Sequence, residues 1–191
     1  VLAKSQAMES VTLRQKPSEA AVHYRQVGSV KPGVGVGGAG SHWSDARSRA
    51  LPEDMKLRSS GEGPYGRAFS PADMTIQDFP VAYAELEPHL HMFELVCGTS
   101  GKAGVINGVV QQGGNPFEGS RSAEYPLGPN PNYLGGELFY KAAKEMGWHP
   151  YPIPASNASG PYVNPYGCQL GPCNACGFCS DYGCLNYSKA S

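Results

Sequence analysis

The clearest hydrophobic pattern in the chain falls at residues 85–97, where apolar side chains recur at helical spacing. Four of them share one face: Leu86, Leu90, Phe93 and Cys97. Intervals of three and four residues match the 3.6-residue turn of an amphipathic helix. Pro88 lies in the predicted first turn, where its missing N–H is harmless. Gly98 follows the last apolar position and is suited to the left-handed conformation that ends many helices.

A second helical pattern covers residues 136–146. Leu138, Ala142 and Met146 line one side, and two lysines at positions 141 and 144 face away from it. The spacing predicts an amphipathic helix that ends at Gly147.

The remaining sequence predicts mostly loop. A weak alternation within residues 21–27 favours one short strand. Residues 44–77 and 99–135 are rich in turn-forming residues, and residues 148–167 are aromatic and proline-rich, which favours an extended, irregular course. Glycine and proline number 25 and 17 of the 191 residues, nearly twice their usual combined share of about 12%. Because the apolar content of 40% is ordinary, we interpret the excess as a loop-rich fold that wraps a ligand rather than as disorder.

Charge and hydropathy narrow the functional classes. The formal net charge is −1 and the basic residues are scattered, so we expect no nucleic-acid partner. No apolar run approaches the ~20 residues that a membrane-spanning helix needs, so we expect no membrane span in this chain. The sequence opens at Val1 without a secretory signal, and both ends have the character of cut sites, so we expect an internal piece of a longer protein.

Residues 33–43 form a glycine-rich segment that reads GVGVGGAGSHW. Gly35, Gly37 and Gly40 have the spacing of a G-x-G-x-x-G motif. Glycine permits positive φ and lets the backbone approach a ligand closely, so that successive N–H groups can hold a phosphate or a flavin edge. No convincing strand precedes the segment, however. Its residues alone are compatible with either a structural turn or a cofactor-binding loop.

Five of the six cysteines are clustered with the spacing C-x4-C-x2-C-x2-C-x4-C: Cys168, Cys173, Cys176, Cys179 and Cys184. Two-residue gaps bring sulfur atoms to one side of a tight turn, which suits an iron–sulfur cluster or zinc. Disulfide bonds are a third interpretation, although the odd number would leave one thiol over or paired with Cys97. Cys97 lies far away in the sequence, on the first predicted helix, and is expected to be a buried apolar residue.

The sequence shows no nucleophile–base pair. Four carboxylates in and near the first predicted helix are interpreted as solvated charges: Asp78, Glu85, Glu87 and Glu94.

An ordered series of motifs resembles the glucose–methanol–choline (GMC) oxidoreductases, in their gluconate and polyol dehydrogenase branch. GVGVGGAGSHW is similar to the family's second flavin-contacting segment, and the Cys173–Cys184 stretch is similar to its cysteine-rich segment. Further matching segments lie in the same order: MTIQDFP at 74–80, ELEP at 85–88, GNPFEG at 114–119, EYPL at 124–127 and KAS at 189–191. The resemblance covers most of residues 11–191, and the ordered series is far more specific than any single member.

The resemblance implies an FAD-dependent enzyme that oxidises a CH–OH group by hydride transfer to the flavin, with electrons passing to an acceptor other than oxygen. It implies six FAD-contacting residues: Gly35, Gly37, Gly38, Ala39, Gly40 and His42. It places the first βαβ unit before Val1 and the catalytic histidine after Ser191, so we assign no catalytic residue here and expect the chain alone to be inactive. The substrate would be a small alcohol or sugar acid.

The resemblance also bears on the cysteines and on partners. Some relatives carry an iron–sulfur cluster that passes electrons to a cytochrome subunit, which makes Cys173, Cys176, Cys179 and Cys184 candidate ligands. A cytochrome and a small subunit are the implied partners. If the protein is like the gluconate dehydrogenases, it lies at the periplasmic face of the inner membrane. The alternative from another class is a small zinc- or iron–sulfur-binding interaction module, whose folding would depend on metal.

For architecture we predict the α/β class, or α+β within this stretch. Residues 1–45 would belong to a Rossmann-type FAD-binding domain. Residues 46–165 would form a loop-rich excursion with the two helices, and residues 166–191 a cysteine-rich segment that returns to the FAD domain.

Overall fold

A computed structural model of the protein describes residues 12–14, 16–23, 46–66 and 76–173. Within these ranges the strands are β1 (Thr12–Leu13), β2 (Val22–His23), β3 (Val105–Ile106), β4 (Val109–Val110), β5 (Tyr162–Val163) and β6 (Gln169–Leu170). The helices are a 3-10 helix (Pro52–Lys56), α1 (Leu57–Tyr65), α2 (Tyr83–Cys97) and α3 (Leu134–Glu145). The strands form three antiparallel pairs, β1–β2, β3–β4 and β5–β6. This mixture of helices and small sheets is compatible with the α/β class, while the Rossmann-type domain and the domain boundaries stay predictions.

The first predicted helix is present as α2 and begins two residues earlier than expected. Ala82 precedes it in an extended conformation, and its N–H donates to the Glu85 carboxylate at 2.9 Å. Pro88 therefore lies inside the helix rather than in its first turn. Gly98 closes the helix with φ of 57°, as predicted. A Cβ at this position would approach Tyr162 Cδ1 to 2.7 Å, so this site requires glycine for both its conformation and its surroundings.

The buried face of α2 differs from the predicted one. The helix buries Tyr83, Glu87, Glu94 and Cys97, whereas Phe93 remains 38% exposed. The interpretation of Glu87 and Glu94 as solvated charges is therefore wrong. Arginines from distant parts of the chain reach these carboxylates and replace water as their hydrogen-bonding partner, as described below.

The second predicted helix is present as α3, which begins two residues before the predicted start and ends one residue before the predicted end. Gly147, which follows the helix, has φ of 77°. The apolar side of α3 is not covered by the described part of the chain. Leu138 is 61% exposed and Met146 is 63% exposed, and Ala143 is the buried residue of the helix.

The prediction that residues 44–77 form only loop is wrong. The 3-10 helix and α1 lie there, although α1 contains poor helix formers, including Pro64. A contact with a distant residue compensates for the low helix propensity. Ser59 donates to the Asp78 carboxylate through its N–H at 3.0 Å and also through its hydroxyl. The 3-10 helix begins where the Leu51 N–H donates to Asp54 at 2.7 Å.

A hairpin interrupts the predicted loop at residues 99–135. β3 and β4 pair through the dipeptide Asn107–Gly108, and both of these residues have positive φ, at 47° and 79°. Asn-Gly between apolar residues is a strong hairpin signal, so this element was visible in the sequence and missed. The short strand predicted within residues 21–27 is present as β2, and the rest of that range lies outside the described residues.

A small core surrounds the C-terminal end of α2. Its buried apolar residues come from segments far apart in sequence: Cys97, Ala103, Val105, Tyr125, Ala158 and Leu170. The β5–β6 pair is attached to the helix end, because the Tyr162 hydroxyl donates to Leu95 O at 2.7 Å and the Asn164 amide donates to Val96 O at 3.1 Å. These bonds satisfy carbonyls that the helix end leaves without an intrahelical donor.

Candidate functional site

Most residues predicted to bind a cofactor or metal lie outside the described residues. This holds for the six candidate FAD contacts, Gly35, Gly37, Gly38, Ala39, Gly40 and His42, and for the candidate ligands Cys176, Cys179 and Cys184. These assignments stay predictions. Cys173 is the candidate ligand that the structure describes.

Cys173 is half-buried and fixed to the segment before β5. Its N–H donates to Ala158 O at 2.7 Å, and the side-chain amide of Asn157 approaches its sulfur at 3.6 Å. Within the described ranges no group of three or more metal-binding side chains comes together. Cys97 is 3% exposed, which confirms the prediction that it is a buried residue. The structure thus places the start of the cysteine segment beside Asn157.

Asn157 also lies on the wall of an open cavity of about 700 Å³, which we call the aromatic cleft. The cleft lies between the N-terminal half of α3 and the extended segment at residues 149–153. Its ring-bearing lining residues are Tyr133, Phe139, Tyr140, His149 and Tyr151, and its amide-bearing ones are Asn130, Asn132 and Asn157. A concave, largely apolar surface with a few polar groups is the usual form of a small-molecule site.

One wall of the cleft is the helix α3, and the other is the extended segment that follows it. Gly147 takes positive φ and reverses the chain after α3. Prolines at positions 150, 152 and 154 then keep the following segment extended. The far end of this segment is fixed where Pro154 O accepts the Arg47 N–H at 2.7 Å. The aromatic, proline-rich composition of residues 148–167 predicted the extended course but not the cavity.

Ser100 anchors the wall that carries Asn157. It is fully buried, and its backbone pairs with Ala155 through bonds of 2.8 and 2.9 Å. Its hydroxyl donates to Asn157 O at 2.7 Å and accepts the Ser159 N–H at 2.8 Å. One serine therefore satisfies two backbone groups of a loop more than fifty residues away.

The amide groups of the cleft are partly organised before any ligand arrives. Asn130 donates through Nδ2 to Asn157 Oδ1 at 2.9 Å. Asn130 and Asn132 also line a shallower neighbouring cavity of about 350 Å³, together with Lys102 and Glu137. Lys102 is already engaged, because its ammonium group donates to Glu124 Oε2 at 2.6 Å.

A second group of polar residues lies buried beneath α2, and we call it the ionic cluster: Arg49, Glu87, Glu94 and Arg121. Arg49 donates to both carboxylate oxygens of Glu94 at 2.8 Å and to Glu87 at 3.1 Å. Arg121 donates to Glu94 Oε2 at 2.6 Å. Glu87 also accepts the Ser122 N–H at 3.0 Å. The cluster therefore joins residues 46–50 and the loop at 118–125 to α2.

Hydrogen bonds oppose the effect of burial on the pKa of two members of the ionic cluster, Arg49 and Glu87. Burial alone lowers the pKa of Arg49, but its hydrogen bonds to Glu94, Tyr83 and Glu87 outweigh burial and raise the pKa above the ordinary value. Burial alone raises the pKa of Glu87, and the donors on Ser122 and Arg49 reverse this and lower it. The Arg121 guanidinium stacks on the Tyr125 ring at 3.7 Å, and burial raises the pKa of that phenol.

The ionic cluster is structural rather than catalytic. Arg121 and Glu94 are almost completely buried, so no substrate reaches them from solvent. Strongly shifted pKa values mark functional groups in many proteins, but buried ion-pair networks produce the same signal. The aromatic cleft is open and therefore is the candidate functional site among the described residues. No helix in those ranges is sufficiently long and apolar to cross a membrane.

Comparison with known proteins connects the chain to flavin-linked dehydrogenases. It is 49% identical over 185 residues to the gluconate 2-dehydrogenase flavoprotein of Pantoea cypripedii, which covers 95% of this chain and 30% of that protein. It is 30% identical over 128 residues to the fructose dehydrogenase large subunit of Gluconobacter japonicus, which covers 67% of this chain and 20% of that protein. No family model matches the chain.

The chain spans less than a third of the length of these curated relatives. Their names support a flavin-linked oxidoreductase in general, as the sequence motifs predicted. The name of the second relative, a large subunit, is consistent with partner subunits. Membership of the GMC family stays a prediction.

Proposed function

We propose that the chain is part of an FAD-dependent dehydrogenase that oxidises a CH–OH group of a sugar, a sugar acid or a polyol. The observation that carries the proposal is the 49% identity over 185 residues with a gluconate 2-dehydrogenase flavoprotein. The aligned stretch covers 95% of the chain.

The flavin, when bound, supplies the acceptor for the hydride, and the electrons then pass to an acceptor other than oxygen. In this proposal the glycine-rich segment at residues 33–43 contacts the FAD through backbone N–H groups that its glycines leave accessible. The described residues contribute the aromatic cleft and the ionic cluster that fixes α2. The catalytic base lies elsewhere in the longer enzyme, so the chain alone is expected to lack turnover.

The cysteine segment is proposed to carry electrons onward. Cys173, Cys176, Cys179 and Cys184 have the close spacing that iron–sulfur clusters use. Cys173 is held in place by the bond from its N–H to Ala158 O, and the other three cysteines lie outside the described residues. A cytochrome and a small subunit would then be the partners, and the periplasmic face of the inner membrane the location.

The test is an ultraviolet–visible spectrum of the protein expressed from its complete reading frame and purified without oxygen, with iron and acid-labile sulfide assayed on the same sample. Flavin bands support the dehydrogenase. A spectrum without flavin, together with folding that requires zinc or iron, would instead support the small metal-binding module. Iron and sulfide in stoichiometric amounts support the cluster, and their absence removes it.

Two matched variants assign the flavin site. Gly37→Ala adds a Cβ in the glycine-rich segment and is expected to lower the flavin content of the purified protein. Gly128→Ala is the control, because a Cβ at that position meets nothing within 4 Å. Equal flavin content in the two variants would show that the segment is a structural turn.

A further inference from the structure

The turn between β3 and β4 carries Asn107, the one asparagine of the sequence that is followed by glycine. Three of the other asparagines precede proline: Asn115, Asn130 and Asn164. The side-chain amide of an asparagine is open to attack by the backbone nitrogen of the next residue. Glycine hinders this attack least because it has no Cβ, and proline prevents it because its nitrogen carries no hydrogen. The sequence therefore favours this reaction at Asn107 over the other asparagines.

The surroundings of Asn107 leave room for the reaction. Residues 107–110 are exposed, and a Cβ placed on Gly108 would meet nothing within 4 Å. Both turn residues have positive φ, at 47° for Asn107 and 79° for Gly108, as the tip of a two-residue hairpin requires. Water and hydroxide therefore reach both the Gly108 N–H and the Asn107 side chain.

Two hydrogen bonds restrain the turn. The Gly108 N–H donates to Ser120 Oγ at 2.9 Å, and the Asn107 N–H donates to Arg121 O at 2.9 Å. The first bond bears directly on the chemistry, because the Gly108 nitrogen must lose its proton before it attacks, and a hydrogen-bonded N–H gives up its proton more slowly. The bond lies at the exposed surface, so Ser120 is expected to slow the reaction without preventing it.

We propose that Asn107 is a self-deamidating site restrained by Ser120, and that its reaction loosens the attachment of the β3–β4 hairpin to the ionic cluster. Hydroxide removes the Gly108 amide proton, and the nitrogen forms a bond to Asn107 Cγ. The bond from Cγ to the side-chain nitrogen breaks, and that nitrogen leaves as ammonia with a proton from water. Water then opens the cyclic imide at either carbonyl, which gives aspartate or iso-aspartate.

The iso-aspartate product changes the backbone itself. The chain then runs through the former side chain, which adds one carbon atom to the backbone of residue 107, and a negative charge appears. The two-residue turn that sets the register of β3 and β4 is too long in this form. Arg121 connects the change to the ionic cluster. Its backbone bonds to the Asn107 N–H and to Val105 O, at 2.9 and 3.1 Å, and its side chain donates to Glu94.

Peptide mass spectrometry on the protein expressed from its complete reading frame tests the site. After incubation in mildly alkaline buffer, each peptide is examined for the mass gain that accompanies loss of a side-chain amide. Labelling by an isoaspartyl methyltransferase identifies iso-aspartate. We expect Asn107 to react ahead of Asn132 and Asn157 in the same sample, at a rate that rises with pH because hydroxide starts the reaction. Equal rates at the three positions, or a rate at Asn107 that is independent of pH, would overturn the assignment.

Ser120→Ala tests the restraint on the turn. The substitution frees the Gly108 N–H and is expected to speed amide loss at Asn107 by about fivefold, which corresponds to one net hydrogen bond of about 1 kcal/mol. Ser159→Ala is the matched control, because it also removes an exposed hydrogen bond, to Gly128 O, but none in the hairpin. An unchanged or slower reaction in Ser120→Ala would show that Ser120 does not restrain the site.

Asn107→Gly tests the consequence for the fold. Two glycines suit a turn of this type, and the variant has no amide to lose. The unmodified protein should unfold at a lower denaturant concentration after incubation than before it, whereas Asn107→Gly should unfold at the same concentration. Iso-aspartate at Asn107 without a change in unfolding would overturn the proposed connection to the ionic cluster. Flavin content is measured separately, so neither result bears on the dehydrogenase proposal.

Discussion

Helices α2 and α3 have similar apolar spacing in the sequence but opposite surroundings in the structure. α2 buries two carboxylates, Glu87 and Glu94, and the Arg47 guanidinium covers its partly exposed Phe93 ring at 3.7 Å. α3 buries Ala143 and leaves Leu138 exposed among the described residues. The apolar period therefore identified both helices, but it did not identify which face of either one is covered.

The difference separates a region that maintains the fold from one that is available for binding. The ionic cluster beneath α2 is closed, and every member has a charged partner within hydrogen-bonding distance. The cleft beside α3 is open and has more ring and amide surface than charge. Substitutions in the first region should change stability, and those in the second should change ligand binding.

The largest expected effect is that of Glu94→Gln on stability. The substitution removes the negative charge that Arg49 and Arg121 share and leaves two buried cations with less compensation. Breaking a buried ion pair from one side costs about 3–5 kcal/mol, so the free energy of unfolding should fall by about 3 kcal/mol. Denaturant titration measures this. Glu145→Gln, at the exposed end of α3, should change it little, and equal effects of the two variants would refute the assignment.

Ser100→Ala should have the next largest effect. The Ser100 hydroxyl serves Asn157 O and the Ser159 N–H, and its loss leaves both groups without this partner in a buried loop. A group left unsatisfied costs about 1–3 kcal/mol, and we expect a decrease of about 2 kcal/mol in the free energy of unfolding. Because Ser100 supports a cleft wall, small-molecule binding in the cleft should weaken as well. A stability loss with unchanged binding would show that the wall is held by its other contacts.

The acid response should depend on Glu87. The pKa of Glu87 in the folded protein is lowered from the ordinary value of 4.5. The ionised carboxylate therefore stabilises the fold at pH values above the pKa that Glu87 has in the unfolded chain. This stabilisation is lost as the pH falls below about 4.5 and passes through the folded-state pKa. Glu87→Gln should flatten the dependence of the free energy of unfolding on pH in that acidic range. An unchanged slope would assign the acid response to other carboxylates, among them Glu124, whose pKa is also lowered.

The sequence predicted those parts of the fold that depend on neighbouring residues. The periodicity of α2, its closure at Gly98 and the extended course of residues 148–167 are local properties, and the Asn107–Gly108 hairpin had an equally local signal. The ionic cluster is different, because Arg49 and Glu94 are 45 positions apart and neither residue indicates the other. The cleft requires α3, Asn130 and Asn157 to meet, which a single pattern along the chain does not indicate.

The smallest expected effect, and one of opposite sign, contrasts the glycines of the two helices. Gly135 lies in the first turn of α3, where an added Cβ would meet nothing within 4 Å. Alanine restricts the unfolded chain more than glycine does, so Gly135→Ala should raise the free energy of unfolding by about 0.5 kcal/mol. Gly98→Ala at the end of α2 should lower it, because φ is positive there and the new Cβ would lie 2.7 Å from Tyr162 Cδ1. Thermal unfolding of both variants measures whether the free energy of unfolding rises or falls. If Gly135→Ala were destabilising, the exposed surface of α3 would be in contact with another part of the protein or with a partner. The contrast between the two helices would then hold for the described residues alone.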